Sequence, residues 1–244
     1  MNRFFVPPEA IDGAAVSIPE DISAQIRKVL RLKDGTAVQF LDNQGWLYES
    51  RIHYLDTKHL TAEITQKRPA EGEPTCRISL YIGLTQREKF EWILQKCTEA
   101  GVGQIIPVIT ERSLIRKPSD VSSKQDRWEK ILKEAAEQCG RGRIPELLPV
   151  MTCNQAIQAG AKAEKALFCW ENEKQTSLRS ILAPIRGTVR EISLMIGPEG
   201  GFSEEEAAAA QSDGWIPISL GKRIYRMETA ALASVILSLY VIEQ

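Results

Sequence analysis

Two short stretches hold the residue types best suited to meeting a charged ligand. In Leu220-Gly221-Lys222-Arg223-Ile224-Tyr225-Arg226-Met227-Glu228-Thr229-Ala230-Ala231 a strand-like run ends at a glycine, passes cationic residues and enters a helix start. Glu228 in a first helical turn complements the helix dipole and needs no ligand to explain it. Arg226 has no such local explanation, and a guanidinium at a strand-end loop suits negative charge. The second stretch is Ile196-Gly197-Pro198-Glu199-Gly200-Gly201-Phe202-Ser203, whose glycines leave backbone N–H groups open to a ligand. Glu199 would repel a polyphosphate; it suits a ligand with positive charge or sugar hydroxyls. Taken alone, the stretch reads equally well as a plain turn.

Several chemistries are excluded. The glycine loop fits neither the dinucleotide fingerprint nor a P-loop, and Gly221-Lys222 is followed by Arg223 rather than Ser or Thr. His53 and His59 are the only histidines, so a Ser-His-Asp triad or a histidine-held metal near the glycine loop is not available. Both lie in strand-like sequence and read as surface residues. Cys76, Cys97, Cys139, Cys153 and Cys169 are scattered without a C-x-x-C pair, so neither a disulfide framework nor a metal site is expected.

The elements that must position these stretches alternate. The apolar run Ile192–Ile196 reads as a buried strand, and Ser203 with Glu206 forms a capping box that opens an alanine-rich helix. Further strands are expected at 77–84, 104–110, 165–170 and 216–220. Helices are expected at 89–100, around Trp128 to Cys139 with Gly140 as its stop, and from Glu228 to Ile242. The alternation implies a mostly parallel sheet with helices on both faces, and such sheets bind ligands at their strands' carboxyl ends. There the loop after Trp170 would join the other two. The last helix is apolar almost all round, so it should be buried on several sides or lie in a subunit interface.

Before this domain, residues 1–72 read as a small β-rich unit. Ile22, Ile26, Val29 and Leu30 have helical spacing, and strands are expected at 36–41, 46–55 and 59–66. Asp42-Asn43-Gln44-Gly45 is a hairpin turn signal, and Asp56-Thr57-Lys58 suits another tight turn. Pro69 to Pro74 is the linker, dividing the chain into 1–72 and 73–244. With 43% hydrophobic residues, 26% charged residues and a net charge of −1, the 244-residue chain is not a polybasic protein. Between Arg112 and Arg143, however, nine Lys/Arg face five Asp/Glu, which reads either as a solvated helix or as a phosphate-facing ridge. The amino terminus lacks an apolar core of signal-peptide length and no stretch is long enough to cross a bilayer, so a cytoplasmic location is expected.

Together, Ile196-Gly-Pro-Glu-Gly-Gly-Phe-Ser203, Leu220-Gly-Lys-Arg-Ile224 and Arg226-x-Glu228-Thr229-Ala230 resemble the SPOUT class of RNA methyltransferases, and within it the RsmE family. The likeness runs nearly end to end, through Val29-Leu-Arg-Leu-Lys-Asp-Gly35, Lys96-Cys-Thr-Glu-Ala-Gly-Val102, Thr110-Glu-Arg-Ser113 and Glu134-Ala-Ala-Glu-Gln138 with Arg141. Three positions depart from the commonest pattern: Tyr225 and Met227 stand where leucine or another small or aliphatic residue is usual, and Ala100 where leucine is usual. The resemblance implies an α/β carboxy-terminal domain with a parallel sheet tied in a trefoil knot, preceded by a PUA-like, RNA-binding β-barrel. It also implies a homodimer that methylates N3 of a uridine in 16S ribosomal RNA, within the small ribosomal subunit, using S-adenosylmethionine.

On that footing Trp170, Ile196, Gly197, Pro198, Glu199, Gly200, Gly201, Leu220, Gly221, Ile224, Arg226 and Thr229 are expected to hold the cofactor. Arg226 would stabilise charge developing on the base oxygens. The proton acceptor is left among Glu228, another carboxylate and solvent. Arg3, Arg27, Lys28, Arg31, Arg112, Arg116, Arg141 and Arg143 are expected on RNA phosphates. The competing readings are a SPOUT enzyme with another RNA target or acceptor atom, and a dimeric RNA-binding protein without chemistry.

Overall fold

The computed structural model describes residues 1–56 and 59–243. Thr57 and Lys58, two residues of the expected second turn, lie outside them. The chain forms two compact units, Met1–Glu73 with Ala136–Ile144, and Pro74–Ala135 with Pro145–Gln244.

The first unit is built on β1 (Arg3–Phe5), β2 (Ile11–Asp12), β3 (Ala15–Ser17), α1 (Glu20–Ala24), β4 (Ala37–Leu41), β5 (Trp46–Tyr54) and β6 (Leu60–Pro69). Its six-stranded sheet has the order β1-β4-β5-β6-β3-β2, parallel only between β1 and β4. The expected hairpin joins β4 to β5: Asn43 takes a φ of 59°, and the Asp42 carboxylate accepts from the Gln44 and Trp46 N–H groups at 2.8 and 3.1 Å. Phe4, Val16, Ile22, Ile26, Val38, Phe40, Ile52 and Ala62 fill the core.

The helical spacing through Val29 breaks down here. After α1 the chain widens over Gln25–Leu30 to i→i+5 turns and ends at Arg31 in the left-handed region, φ 51°. A wider turn rotates each later side chain off the first turn's face, and Val29 stands 72% exposed.

A cut at residue 72 also leaves out residues 136–144, which pack in this unit. The Glu137 carboxylate accepts from the Phe5 N–H at 2.9 Å, the Asn43 side-chain oxygen accepts from the Ile144 N–H at 2.7 Å, and Ala136 packs with Phe5, Leu41 and Leu47.

The second unit comprises β7 (Arg77–Gly83), α2 (Arg87–Glu99), β8 (Gln104–Ile109), α3 (Gln125–Cys139, its last turn in the first unit), β9 (Glu146–Leu147), β10 (Met151–Thr152), α4 (Cys153–Gly160), β11 (Lys165–Cys169), α5 (Leu178–Leu182), β12 (Glu191–Ile196), α6 (Glu204–Ser212), β13 (Ile216–Ile218) and α7 (Met227–Glu243). All pairings in its sheet are parallel, in the order β10-β8-β7-β12-β11-β13, with β9 on β8.

Strands buried on both faces read as unbroken apolar runs; Ile78, Leu80 and Ile82 alternate with Ser79 and Tyr81 along β7, and all five are buried. On one side α7 packs on α2 and α5; on the other α4 packs on α6. Trp215 closes the second layer: its indole N–H donates to the Ile157 carbonyl at 2.9 Å and its ring meets Tyr81 edge-on. α7 buries Met227, Ala231, Val235, Leu239 and Ile242, while Ile236, Leu237 and Tyr240, one helical stripe, are exposed.

Candidate active site

Three loops meet beyond the carboxyl ends of β11, β12 and β13, where an open parallel sheet receives ligands. They enclose a cavity of about 580 Å³, within the ordinary range for a small-molecule site. The β12 loop is set by close approach. A Cβ on Gly83, at the end of β7, would stand 2.6 Å from the Pro198 nitrogen, so only glycine lets the loop pass there. Gly201 turns the chain at φ +68°, a conformation that costs L side chains steric energy. The expected capping box then opens α6: the Ser203 hydroxyl accepts from the Glu206 N–H at 3.3 Å, and the Glu206 carboxylate accepts from the Ser203 N–H at 3.0 Å.

The β11 and β13 loops are bonded to each other. The Trp170 N–H donates to the Ile218 carbonyl at 3.2 Å and the Ser219 N–H to the Thr176 carbonyl at 2.8 Å. The Glu173 carboxylate accepts from the Gln175 and Thr176 N–H groups at 2.6 and 2.7 Å. Those backbone hydrogen bonds, Thr176 foremost, hold its carboxyl below the usual range. Cys169 belongs to the lining, and burial pushes its thiol up to about 12, so it stays un-ionised.

Of the residues singled out from the sequence, Trp170, Ile196, Gly197, Pro198, Glu199, Gly201, Leu220, Gly221, Ile224, Arg226 and Glu228 line this cavity. Gly200 and Thr229 do not. The Cβ position of Gly200 is turned to Arg112, 3.1 Å from that residue's Cβ, and Thr229 is exposed on the first turn of α7. The guanidinium of Arg226 and the carboxylate of Glu228 make no hydrogen bond or ion pair among the described residues, which leaves both open to a ligand. Tyr225, a departure from the usual pattern, also lines the cavity, and its hydroxyl accepts from Arg223 at 3.2 Å.

Glu199 is engaged: the Lys89 ammonium stands 2.8 Å from its Oε1, and the Thr85 hydroxyl donates to the same oxygen. Burial raises its pKa, but the hydrogen bonds from Lys89 and Thr85 outweigh that and the net shift is downward. Lys89 lines the cavity and was not singled out from the sequence, nor were Cys169, Lys174, Ile218 and Ser219. For Lys89, its place beyond the carboxyl end of β7 was the available signal.

The residues expected on RNA divide. Lys28, Arg31 and Arg143 are exposed, though Arg143 also donates to the Gln44 carbonyl at 2.9 Å. Arg3 donates to the Gln39 side chain at 2.9 Å. Arg27 is a staple within the first unit, donating to the Asp56 and His59 carbonyls at 2.8 and 2.9 Å with its guanidinium 4.8 Å from the centre of the Tyr54 ring. Arg141 is only 4% exposed and bonds both oxygens of Glu73, at 3.2 and 2.9 Å. That burial corrects its expected place on a phosphate-facing ridge. Arg112 and Arg116 are exposed as well, Arg112 donating to the Gly200 carbonyl at 2.9 Å and Arg116 to the Glu111 carbonyl. Both histidines sit beside carboxylates on the surface, His59 at 2.8 Å from Asp56 and His53 within 4 Å of Asp34 and Glu63. Among the described residues no cluster of three metal-ligating side chains is found, and no helix is long and apolar enough to cross a membrane.

Residues 71–238 match the model of the RNA methyltransferase domain. Ribosomal RNA small subunit methyltransferase E of Synechocystis sp. is 34% identical, over 93% of this chain and 74% of its own length. The Bacillus subtilis protein of the same name is 28% identical, over 95% and 93%. The crystal structure of the Neisseria gonorrhoeae protein of that name, bound to S-adenosyl methionine, superposes with a TM-score of 0.88 at 30% identity, covering 99% of this chain and 98% of the other. A domain match over more than half of the chain, joined to such a relative over most of it, places the chain in the ribosomal RNA small subunit methyltransferase E family.

Proposed function

We propose that this protein transfers the methyl group of S-adenosylmethionine to N3 of one uridine in 16S ribosomal RNA. It acts in the cytoplasm as a homodimer on the small ribosomal subunit. The observation that carries this reading is the cavity in which the β11, β12 and β13 loops meet, with an unengaged guanidinium and an unengaged carboxylate on one wall. The cavity suits the donor: Trp170, Phe202, Ile218 and Ile196 offer apolar surface to a flat ring, and Glu171, Glu173 and Glu228 complement a cation. When bound, S-adenosylmethionine supplies an electrophilic methyl group. The backbone of Gly197, Pro198, Gly201, Leu220 and Gly221, with Ile224, forms the wall that holds it; Gly200 supports that wall from outside the lining, against Arg112.

Uridine N3 bears a proton, so methylation requires its loss and moves negative charge onto the base oxygens. Arg226 meets that charge, as a preorganised donor does at other sites of developing anions. Glu228, on the same stretch of wall, accepts the proton.

The first unit is read as the PUA-like barrel that carries RNA, through Lys28, Arg31 and Arg143. The second is read as a domain knotted in the SPOUT manner. The exposed stripe Ile236, Leu237 and Tyr240 of α7 supports a subunit interface, since an apolar stripe of that kind marks a contact surface.

The test is transfer of labelled methyl from S-adenosylmethionine to undermethylated small subunits, with naked 16S RNA and transfer RNA in parallel. Incorporation into small subunits, lost in Glu228→Gln and in Arg226→Ala, is expected. Cofactor binding without incorporation into any of the three would favour the binding protein without chemistry.

A further inference from the structure

The carboxylate of Glu199 reaches the cavity already committed. Its Oε1 takes the Lys89 ammonium at 2.8 Å and the hydroxyl of Thr85, and Thr85 is only 1% exposed. Both partners lie at the junction of β7 and α2, the point where Gly83 lets Pro198 pass. From the other side the Arg112 guanidinium donates to the Gly200 carbonyl at 2.9 Å, and its Cβ packs against Gly200. The Glu206 carboxylate, besides capping α6, accepts from the Glu111 N–H at 2.8 Å. The glycine loop is thus tied to the strand ends of β7 and β8 through both of its central residues.

We infer that Lys89 and Thr85 are positioning residues of the cofactor loop: they hold Glu199 as a strut that fixes the shape of 197–201. Glu199 is then not the counter-charge of the donor's sulfonium, because an ammonium within hydrogen-bond distance already balances it. Lys89 and Glu199 are each about one third exposed, 33% and 34%, and such a pair contributes little to global stability. Its effect therefore falls on the geometry of the loop, and so on ligand affinity. This inference rests on the reading of the cavity as the S-adenosylmethionine site.

Calorimetry with S-adenosylmethionine and with its neutral product, S-adenosylhomocysteine, separates the roles. A counter-charge role predicts that Glu199→Gln weakens the cationic ligand alone. The strut role predicts that Lys89→Met, Thr85→Val and Glu199→Gln each weaken both ligands alike, by about tenfold, with melting temperatures unchanged. It further predicts that Lys89→Met with Glu199→Gln is no worse than either alone, because one interaction is removed by all of them. Lys89→Arg, which keeps the charge and a donor, should return both affinities to within about threefold of wild type.

A loss confined to S-adenosylmethionine, additive losses in the double variant, or unchanged affinities in Lys89→Met would each overturn the inference while leaving the cofactor site intact. Wild-type protein that binds neither ligand would overturn the functional reading and this inference with it.

Discussion

Replacing Arg226 by alanine removes a guanidinium that makes no hydrogen bond or ion pair among the described residues. It is exposed and it lines the cavity. The stability change should therefore stay within about 0.5 kcal/mol, the usual range for surface substitutions. The catalytic effect should be large, because deleting one preorganised donor to developing negative charge costs ~10²–10³ in kcat elsewhere. The exposure of Arg226 sets the expectation at the lower end, about a hundredfold, or roughly 2.7 kcal/mol of activation free energy. The assay is single-turnover methyl transfer to undermethylated small subunits at saturating S-adenosylmethionine, alongside calorimetric affinity for the cofactor. The rate should fall while cofactor affinity changes by less than about fivefold. Arg226→Lys should recover only part of the loss, since an ammonium lacks the planar fork that reaches a base oxygen. A rate within about threefold of wild type, under ~1 kcal/mol, would refute the assignment.

Other expectations follow from the same geometry. Gly83→Ala puts a methyl group 2.6 Å from the Pro198 backbone; it should cost ~1–3 kcal/mol in chemical denaturation and weaken cofactor binding, as a forced backbone shift does. Glu91 is held down to about 2, chiefly by its hydrogen bond from Arg127, with Arg87 adding to it against the effect of burial. A carboxyl depressed on folding adds stability above its ordinary pKa of 4.5 and loses it as pH falls toward 2. Melting temperature followed through that window should fall less steeply in Glu91→Gln than in wild type. Leu237→Glu places a charge in the exposed stripe of α7, and light scattering should report half the wild-type mass if that stripe closes the homodimer.

Much of the second unit was legible because its strands are buried on both faces. Runs such as Ile78–Ile82 and Ile192–Ile196 are short and mostly apolar, and each strand was placed to within a residue or two. Ser203 with Glu206 announced α6 because a capping box is a purely local interaction. The short α4 was missed although Thr152 and Gln155 form the same device; an eight-residue helix carries too few apolar positions to stand out.

What escaped the sequence was set by partners far along the chain. Arg141 looked like a surface cation until Glu73, 68 residues away, was found to bury it. Lys89 looked like one more helix lysine until Glu199, 110 residues on, was found beside it. Val29 was misplaced because a widened turn leaves no mark in the hydrophobic spacing. The three stretches from which candidates were drawn supply most of the cavity lining, since a parallel sheet brings such stretches to one edge, while Lys89, Cys169, Lys174, Ile218 and Ser219 come from outside them.

The central claim is that this cavity directs a methyl group to N3 of a uridine in 16S ribosomal RNA. Mass spectrometry of nuclease-digested small-subunit RNA, before and after treatment of undermethylated subunits with the protein and S-adenosylmethionine, tests it most directly. One fragment should gain a single methyl group, and its nucleoside should be N3-methyluridine. A methyl group on a ribose 2′-oxygen, on a base other than uracil or on transfer RNA would contradict it, as would none at all from a protein that binds the cofactor.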